Sequence, residues 1–124
     1  MNKQTHFIAG DWLAGLGHDI QSIDPAKKSI IWQAKSASQK QVNSAVNAAR
    51  LAFVAWSNLT FNERLAYVKK FAALLGQNKQ ALALTIAQET GKPLWETATE
   101  VGAMIGKIAL SEKAYHERTG TVEN

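Results

Sequence analysis

The chain has 124 residues, 46% of them hydrophobic and none of them cysteine, with 14 basic against 10 acidic side chains for a net charge of +4. That length supports one domain or part of one, and the apolar content is enough to build a core rather than leave the chain disordered. The missing cysteine excludes a disulfide framework, a thiolate metal site and a cysteine nucleophile.

The basic residues are spread along the whole chain with no dense stripe to neutralise a row of phosphates, which argues against a nucleic-acid partner. No run approaches the roughly 18 apolar residues of a membrane span. The opening MNKQTHFIAGDW lacks the apolar core of a secretion signal, so the expectation is a cytoplasmic chain with no membrane partner.

From His6 to Leu13, two short apolar pieces flank Ala9-Gly10, and Gly tolerates the positive φ of a tight hairpin turn. A second extended pair is predicted over Asp19 to Ile23 and Ser29 to Ala34, around the turn-forming Asp24-Pro25. The apolar period then changes from two to 3.6. Ser38 and Gln41 have the spacing of a capping box, and Val42, Ala45, Val46, Ala49, Ala52, Phe53 and Trp56 follow as one helical stripe.

Thr60 and Glu63 repeat the capping-box spacing and open a second helix with the stripe Leu65, Val68, Phe71, Ala72 and Leu75. Asn78 is expected to cap a third, with Leu82, Thr85 and Ile86 on one side, stopped by Gly91 and Pro93. A last helix places Ala98, Val101, Ile105, Ile108, Glu112 and Tyr115 on one face and ends around Gly120. Within it, Gly102 and Gly106 form a GxxxG pair among charged residues, which predicts close helix packing rather than a lipid-embedded dimer. The fold class is therefore α+β: a β-hairpin unit over residues 1–34 and about four amphipathic helices over 38–120, together a single partial domain.

Few residues offer chemistry. His6, His18 and His116 have no partner at metal-ligand spacing. The tryptophans at 12, 32, 56 and 95 are expected in the core. Glu96 and Glu100 stand four apart on the last helix, where such a pair is usually a solvated face. Neither GxGxxG nor GxxxxGK[ST] occurs, so no dinucleotide or phosphate cradle is recognisable.

The order of local phrases is more specific. FIAGDW at 7–12, IDPAKKS at 23–29, AVNAARLAFVAW at 45–56, NER at 62–64, FAALLGQNKQAL at 71–82 and ETGKPLWETATEV at 89–101 resemble the amino-terminal part of the aldehyde dehydrogenase superfamily over nearly the whole chain. Within it, TEVGAMIGKIALSEKAYHERTG at 99–120 is most similar to the branch that oxidises N-succinylglutamate 5-semialdehyde with NAD in arginine catabolism. Two local departures stand out. Family members usually have Asn where Ala9 stands, which alters a hairpin tip, and Gly where Lys28 stands, which calls for a different turn geometry.

The resemblance implies a mechanism whose parts lie elsewhere. Family members use a cysteine thiolate, an oxyanion site of an asparagine amide and a backbone N–H, NAD as hydride acceptor and a glutamate base. All of these belong to sequence beyond residue 124, so the chain is expected to be the leading, inactive scaffold of a larger subunit. No catalytic residue is assigned to it, and NAD is the cofactor of the parent enzyme with none expected to bind here. The small-molecule aldehyde is likewise a substrate of the full-length parent.

A structural monovalent cation is also implied by the resemblance, held by backbone oxygens at Ser22 and Ile23 and by the Glu89 carboxylate. Oxygen-only ligation suits a hard cation. The alternative, that Glu89 merely sits near the end of its helix, stands beside it. A second reading of the whole chain is a freestanding helical interaction module derived from the family. Its uncovered apolar stripes would then make it a homo-oligomer.

Overall fold

The computed structural model describes residues 4–119. The chain forms two compact units, the first running to Leu59 and the second from Thr60.

The first unit opens with two separate antiparallel pairs. Strands β1 (Gln4–Ile8) and β2 (Asp11–Ala14) are joined by the two-residue turn Ala9-Gly10, with φ of 56° and 97°. Two positive φ values in succession are what a mirror-image turn needs to match the right-handed twist of its strands. Phe7 lies opposite Trp12, and their rings meet at 5.4 Å.

Strands β3 (Asp19–Ile23) and β4 (Ile30–Lys35) form the second pair, and their register slips between Ser22 and Ile23. In the connecting turn Asp24 Oδ1 accepts from the N–H groups of Ala26 and Lys27 at 2.8 and 3.0 Å. The Asp24 N–H donates to the Ser29 carbonyl at 2.9 Å and closes the turn. Lys28 has φ 58°, the left-handed region that glycine occupies without strain. A lysine thus adopts a glycine-like conformation at this turn position.

Helix α1 (Gln39–Asn58) begins at the capping box of Ser38 and Gln41. Gln41 is buried because its amide does more than cap. Its Oε1 accepts from the Ser38 and Leu16 N–H groups, each at 3.0 Å, and its Nε2 donates to the Ala14 carbonyl at 2.8 Å. The apolar stripe beyond it is largely open: Val46 is 49% and Phe53 64% exposed.

The second unit is helical: α2 (Phe61–Gln77), α3 (Lys79–Thr90) and α4 (Leu94–Arg118). Thr60 and Glu63 form the expected capping box of α2. Asn78 does not cap α3. Its Nδ2 donates to the Leu74 carbonyl at 2.8 Å, so the side chain closes the end of α2. Gly91 ends α3 with φ 74°, its N–H donating to the Ala87 carbonyl at 2.9 Å.

The core of this unit lies between α3 and α4, with Ala83, Thr97 and Val101 buried and Ile86, Ala98, Ile105 and Ile108 half-buried. Thr85, placed on the inner face by spacing, is exposed, and its hydroxyl donates to the Ala81 carbonyl. Ala83 takes the buried position instead. Thr97 satisfies its hydroxyl on the Leu94 carbonyl at 3.1 Å, which allows a polar side chain in the core.

Helix α2 joins α4 through the Lys69–Glu112 ion pair at 3.1 Å and the stacked rings of Phe61 and Tyr115, 4.0 Å apart. The close packing expected at Gly102 and Gly106 is absent among the described residues: a Cβ on either would meet nothing within 4 Å. The expected helix end at Gly120 lies outside the described residues. Among them, no helix is long and apolar enough to cross a membrane.

Candidate functional site

The three residues expected to hold a cation are placed as follows. Ser22 and Ile23 are consecutive at the end of β3, opposite Trp32 and Ile30 at the register slip. Glu89 is the penultimate residue of α3 and is exposed. Ser22 and Ile23 belong to the first unit and Glu89 to the second. The carboxylate next along the chain from Ile23 is that of Asp24, and the turn uses it. The Lys27 N–H is the main reason its pKa lies below the usual value; burial opposes the shift, and the Ala26 N–H and the Lys27 charge add to it. Among the described residues, no three His, Cys, Asp or Glu side chains gather closely enough to hold a metal ion.

The histidines serve local structure. His6 Nδ1 meets the Thr5 hydroxyl at 3.0 Å, and His18 Nδ1 meets the Ser36 hydroxyl at 3.1 Å. His116 lies edge-on to Phe61 at 5.2 Å and to Tyr115 at 5.6 Å. The expected core role of the tryptophans is not met, since Trp12 is 58% and Trp95 73% exposed. Spacing identified them as apolar but not whether the rest of the described chain reaches them.

The junction between α3 and α4 is where charged groups converge. Lys92, just past the Gly91 cap, places its ammonium on Glu96 at 3.2 Å and on Glu100 Oε1. The hydrogen bond to Glu100, followed by that to Glu96, raises the Lys92 pKa above its ordinary value. The carboxylate pair is thus a clip that holds the loop against the first turns of α4, rather than a proton-transfer pair. Lys92 was not singled out from the sequence. A lysine four residues before a glutamate, just past a helix-ending glycine, is the signal that marks it.

Beyond the clip, α4 turns an open face outward. Glu100, Ala103, Met104, Gly106, Lys107 and Leu110 line a shallow apolar groove with one acidic and one basic rim. Ala103, Gly106 and Leu110 lie on the side of α4 away from the stripe of Thr97, Val101, Ile105 and Ile108 that enters the core, whereas Met104 borders that stripe.

Comparison with known proteins gives these features a family. The model of the aldehyde dehydrogenase family matches residues 12–124. Among solved structures, the chain is similar to an aldehyde dehydrogenase from Bartonella henselae, with 28% identity and a TM-score of 0.85 over 94% of this chain and 25% of that one. It is similar to a betaine aldehyde dehydrogenase mutant from Staphylococcus aureus in complex with NAD+, with 25% identity and a TM-score of 0.78 over 85% of this chain and 22% of that one. An NAD-dependent benzaldehyde dehydrogenase from Corynebacterium glutamicum shares the fold at 24% identity and a TM-score of 0.84, over 98% of this chain and 27% of that one. The chain thus spans about a quarter of the length of the structures it matches. With the family match running from Trp12 through the last residue, the chain belongs to the aldehyde dehydrogenase family.

Proposed function

We propose that this chain is the amino-terminal scaffold segment of a cytoplasmic, NAD-dependent aldehyde dehydrogenase whose reaction converts succinylglutamate semialdehyde to succinylglutamate. The observation that carries the reading is the family match over residues 12–124, combined with coverage of only 22–27% of similar structures. NAD appears by name in two of those structures, and the phrase TEVGAMIGKIALSEKAYHERTG supports the choice of aldehyde. The two capped, clipped units supply framework. Chemistry by a thiolate route requires a cysteine, and these residues contain none.

The test uses the purified 124-residue chain with NAD and the semialdehyde, following NADH absorbance. No turnover above the blank is expected, and turnover that survives removal of contaminants overturns the proposal. Calorimetric titration with NAD is expected to release no heat, because phosphate-cradling turns of such folds lie on parallel βαβ units, and the strands among the described residues pair only antiparallel.

A second reading, a self-associating interaction module derived from the family, is favoured by one observation. Phe53, Val54, Phe71, Leu84, Met104 and Leu110 all remain more than two-fifths exposed, an apolar surface that is unusual on a free-standing chain.

A further inference from the structure

We draw no further inference here: the strongest candidate, the exposed apolar face of α1 that forms a shallow groove with Val46, Ala49, Arg50 and Phe53, carries nothing, because nothing in the structure shows what covers it.

Discussion

The Gln41 side chain of α1 donates to the Ala14 carbonyl at 2.8 Å while its oxygen accepts from Leu16 at 3.0 Å, so one amide fastens the end of β2 to the start of the helix. The same oxygen satisfies the Ser38 N–H, and the residue is buried. Gln41→Ala removes all of these bonds and takes their side-chain partner from the part-buried Ala14 carbonyl and from the N–H of the exposed Leu16. The expected loss is about 2–3 kcal/mol of stability, read from urea unfolding by circular dichroism.

Gly15 and Gly17 fill a close approach of backbone to backbone. A Cβ at Gly15 would stand 2.0 Å from the Lys35 carbonyl oxygen, and one at Gly17 2.8 Å from that of Ala37. Gly15→Ala therefore forces the β2–β3 connection away from the end of β4, at a cost of about 3 kcal/mol or more. Gly102→Ala, with open space around it in a helix, is expected instead to stabilise by about 0.5–1 kcal/mol. Opposite shifts in thermal midpoint would confirm the contrast, and equal shifts would refute it.

Ala9 and Lys28 carry φ of 56° and 58°. Replacing Lys28 by Gly relieves a left-handed conformation and is expected to raise stability by about 0.5–1 kcal/mol, after the entropy that glycine adds to the unfolded chain. Lys28→Val, β-branched, is expected to destabilise. Thermal melts of the pair decide the matter.

Asp24 and Glu63 both have pKa values below their ordinary range: Asp24 chiefly through the Lys27 N–H, Glu63 chiefly through the Thr60 N–H. A carboxylate whose pKa is lowered by folding contributes stability that is fully present above its unfolded pKa and lost as pH falls through its folded pKa. Stability is therefore expected to decline on acidification through and below the usual carboxylate range. Asp24→Asn and Glu63→Gln should each flatten that decline, as measured by unfolding midpoints over a pH series. If neither variant changes the slope, these bonds do not govern the acid response.

Much of the local framework was legible in the residues. The Ala9-Gly10 turn, both capping boxes and the Gly91 stop follow from short-range hydrogen bonding and backbone sterics, which a few neighbouring residues settle among themselves. Lys28 escaped because a left-handed lysine contradicts its own preference. It is held there by the turn that Asp24 closes on either side. The cation residues Ser22, Ile23 and Glu89 came from family phrases rather than from any local pattern, and local structure alone places them only on their own elements.

The sequence by itself determined the order of strands and helices, the capping boxes of α1 and α2 and the family, since these depend on spacing and on hydrogen bonds between near neighbours. Only the tertiary structure decided that Gln41 ties a helix to a hairpin, that Lys92 clips Glu96 and Glu100, and that Ala83 rather than Thr85 enters the core. It also decided that the Gly106 face of α4 stays open. Periodicity marks which residues share a face. Which face is covered depends on elements distant in the chain, and their approach is set by packing rather than by any local preference.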